Sequence, residues 1–219
     1  FIPWDDDVDI VMYPNDLEKL KKIIESDYSS SYRFMTFENT PNWYSKMCKL
    51  QILGTSIISQ NGEHSPVFLD ISKLHSMPDS AIQRFFQRKK IELLNLSLAV
   101  LSGEVKPISL KSRLTIAQIS KIGKDKLGAM LDRTLCKYDN VKTKYVGIMC
   151  NTLTANPYTG VSGYDNDATE RRWHENPVYL PFEDTEFMTI SGYKEDLLHR
   201  YGPHYMEPYP EEKRVTKHD

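Results

Sequence analysis

The residues best suited to chemistry lie at the start of the chain, in an acidic cluster that runs directly into an apolar stretch. Ile10-Val11-Met12 follows four aspartates that fall within five positions: Asp5, Asp6, Asp7 and Asp9. On an extended backbone alternate side chains share a face, which groups Asp5, Asp7 and Asp9. Asp7 and Asp9 would lie about 6–7 Å apart at Cα, because a strand rises about 3.3 Å per residue.

This spacing favours a divalent cation. Two like charges on a strand that will be buried repel each other unless a cation lies between them. Carboxylate oxygens with an open face suit Mg²⁺ or Mn²⁺, which keep waters and accept phosphate oxygens as further ligands. A solvated acidic turn is the alternative, while an EF-hand loop fits poorly because its glycine and twelfth-position glutamate are missing. We therefore predict a metal-dependent site for phosphoryl transfer.

A second acid lies in a predicted hairpin. Gln60-Asn61-Gly62 is a turn signal between two apolar strands, and Asp70 is a lone carboxylate within the returning strand. Burying it unpaired would cost on the order of a few kcal/mol or force it neutral. Asp70 is therefore either an acid that caps the next turn or a third metal ligand. The pairing would put Lys46 and Lys49 beyond the Asp70 end, either solvated or holding a phosphate beside the metal.

Helical patterns surround these strands and would position them. Asn15, with Glu18 as its capping-box partner, is predicted to start a helix over about 15–26. A helical lobe is predicted over about 79–139, comprising a long helix from Asp79 to Gly103 and shorter ones near 112–121 and 124–139. The remaining predictions are a short strand within 26–40, a strand at 145–150, a loop-like segment at 151–176, paired strands over 178–190 and a helix ending at Gly202-Pro203.

The long predicted helix carries a basic stripe of Arg84, Arg88, Lys89 and Lys90. A solvated charged face is the usual explanation for such a pattern. An anionic acceptor or a membrane surface is the alternative.

Composition limits the classes of function. The chain has 219 residues, 40% of them hydrophobic, and a net charge of −2, which suits one domain with a sizeable core and gives no global reason to bind nucleic acid or an anionic membrane. No apolar run is long enough to span a bilayer. Three cysteines without a Cys-x-x-Cys pair argue against a disulfide framework and favour a reducing compartment. Because the chain opens within an element and without Met, we expect further sequence upstream.

These motifs resemble the LicD family, which includes bacterial phosphocholine transferases and is similar to fukutin-type transferases. The opening Ile-Pro-Trp-Asp-Asp-Asp-Val-Asp-Ile at 2–10 carries most of the resemblance, and Phe-Leu-Asp-Ile at 68–71 is a second match. The helical middle matches only loosely. A third match is a C-terminal series of Phe182-Glu183, Tyr193, Leu197, Arg200-Tyr201-Gly202, Tyr205, Pro208, Arg214 and His218.

The resemblance implies an α/β (α+β) fold of the nucleotidyltransferase type, a small mixed sheet with flanking helices and a helical insertion lobe. Residues 1–219 would form a single domain that lacks the family's upstream Gly-containing segment. Asp7 and Asp9 match the family's metal-binding pair, and Asp70 matches its third acid. Cys48-Lys49 departs from the Lys-Ile-Arg pattern expected there.

The function implied is transfer of a phospho-alcohol group, with phosphocholine favoured, from a CDP-activated donor to a hydroxyl of a cell-surface glycan such as teichoic acid, lipooligosaccharide or capsule. Mg²⁺ or Mn²⁺ held by Asp7, Asp9 and Asp70 would clamp the diphosphate. The base that accepts the hydroxyl proton would be Asp5, Asp6 or Asp70. The reaction would take place in the cytoplasm, and peripheral association of the protein with the inner face of the membrane is left open.

Contacts to the donor phosphates are expected from four residues: Lys46, Lys49, Arg214 and His218. Two other functions stay open. A metal-dependent glycosyltransferase would use the same acids on a nucleotide-sugar, and a non-catalytic member would bind glycan or act as a scaffold.

Overall fold

The structure is a computed structural model, and it describes residues 2, 8–58, 62, 64–105, 114, 117–118, 121–149, 152–153, 156 and 160–208. In this part of the chain helices alternate with several small sheets, which confirms the predicted α+β class. The helices are α1 (Pro14–Asp27), α2 (Ala81–Leu101), α3 (Lys124–Leu135), α4 (Gly163–Asp167) and α5 (Tyr193–Tyr201). Two 3₁₀ turns cover Cys136–Tyr138 and Arg171–His174.

The strands form one four-stranded sheet, one three-stranded sheet and two separate hairpins within the described residues. The larger sheet has the order β1-β6-β3-β2, from Asp9–Met12, Phe68–Lys73, Cys48–Ile52 and Tyr32–Met35. The three-stranded sheet contains β7 (His75–Met77), β8 (Tyr145–Gly147) and β9 (Thr169–Glu170). The hairpins pair β4 (Ile57–Ile58) with β5 (His64–Ser65), and β10 (Val178–Phe182) with β11 (Thr185–Thr189).

The four-stranded sheet is mixed. Strand β1 runs parallel to β6, whereas β3 is antiparallel to both of its neighbours, β6 and β2. A parallel pair requires a crossover rather than a tight turn, and here α1 and the strands β2 to β5 lie between β1 and β6 in the chain. Asp9 and Asp70 are therefore neighbours in space, although about sixty residues separate them in the chain.

One face of this sheet is apolar because α1 packs against it. The core there contains Leu17 and Ile24 of the helix with Phe34, Cys48 and Ile71 of three strands. Since side chains alternate along a strand, the residues next to these in sequence, Lys49 and Asp70 among them, belong to the other face. The sheet thus separates a packed face from a polar one.

A second core lies between α2 and α3 and extends to the three-stranded sheet. Ile91, Leu98 and Leu127 are fully buried in it, together with Met77 of β7 and Tyr164 of α4. The predicted helical lobe is thus packed against the second sheet in the described residues. Whether 1–219 is a single domain stays a prediction.

The predicted helices near 15–26, 79–103 and 124–139 are confirmed, but two N-terminal caps differ. Helix α1 begins at Pro14 with Tyr13 as its N-cap, because proline's fixed φ suits the first helical position. Ser80, rather than Asp79, caps α2 by accepting a hydrogen bond from the Gln83 backbone N–H. The helix predicted near 112–121 falls largely outside the described residues.

Elsewhere the predictions for short elements are mostly confirmed. Strand β2 lies within 26–40, β8 within 145–150, and β10 and β11 within 178–190. Helix α5 ends at Tyr201, and its C-cap is Gly202, whose φ of +80° favours glycine. The segment 151–176 was expected to be a loop, yet it contains α4, β9 and a 3₁₀ turn. Ser162 explains the helix, since its hydroxyl accepts a hydrogen bond from the Asp165 N–H at the N-cap. No helix of the described residues is both long and apolar enough to cross a bilayer.

Candidate active site

The polar face of the four-stranded sheet brings together a row of charged residues. In the register of the strands, Asp9 of β1 is paired with Asp70 of β6, and Asp70 is paired with Lys49 of β3. Paired residues on neighbouring strands share a face and lie about 4.8 Å apart in the hydrogen-bonding direction. Asp9, Asp70 and Lys49, here called the acid row, therefore lie side by side across three strands.

The Asp70 carboxylate is partly buried and incompletely satisfied. Its side chain is 19% exposed, and its Oδ1 lies 3.0 Å from Lys49 Nζ. The angles there do not make a hydrogen bond, so Oδ1 is a buried oxygen that accepts none from the described residues, while Oδ2 accepts one from Lys49 at 3.4 Å. Within this part of the chain Oδ1 thus has one ion-pair partner and no hydrogen bond, so it keeps lone pairs for a further donor or a cation.

Two aromatic rings fix the position of Lys49. Its Nζ lies 3.3 Å from the centroid of the Phe68 ring and 5.7 Å from that of Trp43. Phe68 is two residues before Asp70 on β6 and shares its face, so the strand itself places the ring beneath the ammonium group. Cation–π contact and the ion pair together hold Lys49 at the acid row.

The donor set of the acid row fits a hard divalent cation. Asp9 and Asp70 supply carboxylate oxygens from adjacent strands, and Asp70 Oδ1 has a place for a further partner. Counting Lys49, the row carries a net charge of −1, so a divalent ion would be attracted rather than repelled.

The other residues predicted for the site divide into two groups. Asp5, Asp6, Asp7, Arg214 and His218 lie outside the described residues. Lys46 lies inside them but makes different contacts.

The Nζ of Lys46 lies 2.8 Å from Asp132 of α3 and 3.2 Å from Glu38, and its side chain is only 5% exposed. The Phe37 ring packs on it, with the centroid 3.7 Å from Nζ. These contacts tie Lys46 to the second core, whereas Lys49 reaches the acid row. Its role with phosphate stays a prediction.

Sequence reasoning missed two features of this face: the aromatic residues that hold Lys49, and a further cation. Arg33 of β2 is the register partner of Gln51 on β3, two residues after Lys49 on the same face. Its Nη2 donates a 2.9 Å hydrogen bond to Gln51 Oε1. The alternation of Arg33 with buried Phe34 is the signal that could have placed Arg33 on the polar face.

The register between β3 and β6 also differs from expectation. Lys49 lies directly opposite Asp70, whereas the sequence predicted it beyond the Asp70 end of the strand.

A second group of metal-ligand types is satisfied without an ion. Ligand atoms of His75, Cys136 and Asp139 lie within 4.8 Å of one another. The His75 Nδ1–Asp139 Oδ2 distance of 2.8 Å is that of a direct hydrogen bond, and the Ser76 N–H donates to the other carboxylate oxygen. Burial, with the nearby Asp139 charge, raises the pKa of the Cys136 thiol to about 11, which keeps it protonated. We assign this group to packing of β7 against the 3₁₀ turn.

The Arg200-Tyr201-Gly202 motif has a structural explanation. Arg200 of α5 donates hydrogen bonds to Asp196 and, at 3.1 Å, to Asp167 of α4, so one guanidinium serves two acids. Burial raises the pKa of Asp167 to about 6, against the opposing effect of Arg200. The motif therefore anchors the C-terminal helix through a buried charge cluster.

Comparisons with known proteins agree with the resemblance read from the sequence. The family model described as LicD/FKTN/FKRP, nucleotidyltransferase domain, matches residues 1–96, which include every strand of the acid row. The chain is also similar to the lipopolysaccharide cholinephosphotransferase LicD of Haemophilus influenzae (strain ATCC 51907 / DSM 11121 / KW20 / Rd), at 24% identity over 226 residues, covering 100% of this chain and 80% of that protein. No solved structure matches the chain. The two matches support membership of the LicD family.

Proposed function

We propose that this protein is a metal-dependent transferase that moves a phospho-alcohol group, with phosphocholine favoured, from a CDP-activated donor to a hydroxyl of a cell-surface glycan. The observation that carries the proposal is the register that sets Asp9 beside Asp70, with Lys49 on the other side. The name of the Haemophilus relative supports the cholinephosphotransferase class and suggests lipopolysaccharide, rather than teichoic acid or capsule, as the first acceptor to test.

In the proposed reaction the acceptor hydroxyl attacks the phosphorus that carries the alcohol. A new P–O bond forms, the bond to the cytidine phosphate breaks, and CMP leaves. Asp9 and Asp70, together with Asp7 two positions before Asp9, would hold Mg²⁺ or Mn²⁺, which when bound neutralises charge on the diphosphate. The hydroxyl proton would pass to a carboxylate, for which Asp5, Asp6 and Asp70 are proposed.

Lys49 is the cation best placed to contact the donor phosphates. It is ion-paired to Asp70 at 3.0 Å and held over Phe68, so it lies at the acid row. A point charge on a flexible stem can shift from the carboxylate to a phosphate oxygen over a short distance. Arg33, on the same face and hydrogen-bonded to the neutral amide of Gln51, is a second candidate. Arg214 and His218 of the C-terminal segment remain proposed contacts.

The test is formation of CMP from CDP-choline with Mg²⁺ and purified lipopolysaccharide, comparing the wild-type chain with Asp70→Asn. We expect the variant to lose turnover while its fold, followed by circular dichroism, is retained. Asp16→Asn is the matched control, since Asp16 is an exposed acid of α1 whose carboxylate pairs with Lys19 one helical turn away. Full turnover by Asp70→Asn would refute the proposed site.

A donor panel separates the proposed chemistry from that of a glycosyltransferase. CDP-alcohols should raise the melting temperature in the presence of Mg²⁺ more than UDP- or GDP-sugars do. Stabilisation by nucleotide-sugars alone would redirect the assignment to glycosyl transfer. Absence of both metal and nucleotide binding would identify a non-catalytic member.

A further inference from the structure

Helix α2 exposes apolar side chains along one stripe. Ile82 is 70% exposed, Phe86 67% and Leu93 44%. At about 100° per residue these three positions fall within about 40° of one another on the helix surface. Phe85 lies beside them, its ring centroid 5.6 Å from that of Phe86 in an edge-to-face arrangement. A stripe of large exposed apolar groups is unusual unless another surface covers it.

Cations border this stripe on the side that faces α3. Lys90 follows Phe86 by one helical turn and lines a groove of about 320 Å³ between α2 and α3, on whose opposite wall lie Arg133 and Lys137. Among the ion pairs of the described residues none involves Lys90, Arg133 or Lys137, and no acidic residue lines the groove. On a chain whose net charge is −2, this is a local excess of positive charge.

From this combination we propose that the α2 stripe and the adjoining groove are a docking surface for an anionic lipid membrane. Helices that lie in the membrane interface combine large apolar side chains with flanking lysines and arginines in this way. A soluble anion would need the cations but would gain nothing from Ile82 and Phe86. The cations select anionic headgroups, and the apolar side chains enter the boundary between headgroups and acyl chains. This inference does not depend on the proposed transferase activity.

The test is cosedimentation of the full chain with vesicles of phosphatidylcholine alone and of phosphatidylcholine mixed with phosphatidylglycerol. We expect binding to the anionic vesicles only, falling as salt is raised. Each basic residue near such a surface strengthens binding about fivefold. The triple variant Lys90→Gln, Arg133→Gln, Lys137→Gln should therefore bind about 100-fold more weakly.

A matched control removes three exposed lysines from other faces: Lys22→Gln, Lys142→Gln and Lys194→Gln. It changes the net charge by the same amount and should bind nearly as the wild type does. The double variant Ile82→Gln, Phe86→Gln keeps every charge, and because both side chains are exposed it should keep the fold while losing at least about tenfold in binding.

Three results would overturn the proposal. They are equal binding to neutral and anionic vesicles, no binding to either, and a control variant as weak as the groove variant. Circular dichroism spectra of all variants provide the check on folding.

Discussion

Replacing Asp9 by Asn tests the acid row without touching the packed face of the sheet. Asp9 and Asp70 are register partners, and the row they form with Lys49 carries a net charge of −1. The wild-type chain should therefore gain stability from Mg²⁺. The variant keeps the size of the side chain but removes one of the two charges that attract the ion.

The magnitude follows from mass action. At a Mg²⁺ concentration about 100 times Kd, binding stabilises the folded state by about 2.7 kcal/mol, which is about 5–10 °C in melting temperature for a chain of this length. One unit charge about 4 Å from a divalent ion in water contributes about 2 kcal/mol, so its loss weakens affinity about 30-fold. At the same Mg²⁺ concentration the variant should gain only about 0.9 kcal/mol, or about 2–3 °C.

The assay is thermal unfolding with and without Mg²⁺, run beside CMP release from CDP-choline. Asp16→Asn removes an equivalent charge from exposed α1 and should keep the full Mg²⁺ shift. The reasoning fails if Asp9→Asn retains both the wild-type shift and the wild-type turnover. It also fails if the wild type shows no shift with either Mg²⁺ or Mn²⁺.

Three further changes test the rest of the structure. Ile71→Ala removes a fully buried side chain beside Asp70 and should cost about 2–5 kcal/mol in urea unfolding; a cost below about 1 kcal/mol would contradict the packing. The raised pKa of Asp167 contributes stability that is fully present below about pH 4 and lost as pH rises through about 6. On going from pH 7 to pH 5, the free energy of unfolding of the wild type should therefore rise by about 1 kcal/mol relative to that of Asp167→Asn. Lys46→Met should cost at most about 1 kcal/mol, because its partners Glu38 and Asp132 are 63% and 44% exposed and stay solvated, with KM for the donor unchanged; a higher KM would instead support Lys46 as a phosphate contact.

Local patterns were enough to predict most elements. The apolar spacing of Leu17 and Ile24 predicted α1, and the alternation around Asp70 predicted a strand with one buried and one polar face. These features depend on neighbours within a few positions, where helix and strand periods differ clearly. The prediction that Asp70 is a neighbour of the opening acids came from chemistry and from family resemblance, because no local pattern encodes a parallel pairing across a crossover.

The details that could not be predicted depend on register and on distant partners. Lys46 and Lys49 are both lysines in the same short stretch, yet one is bound by Asp132, 86 positions away, and the other by Asp70. The sequence alone does not distinguish the two lysines, because the face of the sheet on which each one lies is set by the register of β3. A shift of one residue in the β3–β6 register would exchange the faces and move Lys49 into the packed core.

Charge balance in the acid row indicates why metal and donor should bind together. Asp9, Asp70 and Lys49 sum to −1, and a divalent ion would change this to +1, which attracts the two negative charges of a diphosphate. Without the ion the diphosphate would bring the local charge to −3 beside two carboxylates, so the ion favours donor binding. Lys49, which pairs with Asp70 across the strands, would then be available to the phosphates, and Asp70 would be available to hold the ion. In the proposed site the cross-strand pairing of one lysine with one aspartate would therefore couple the two binding events through a shared carboxylate.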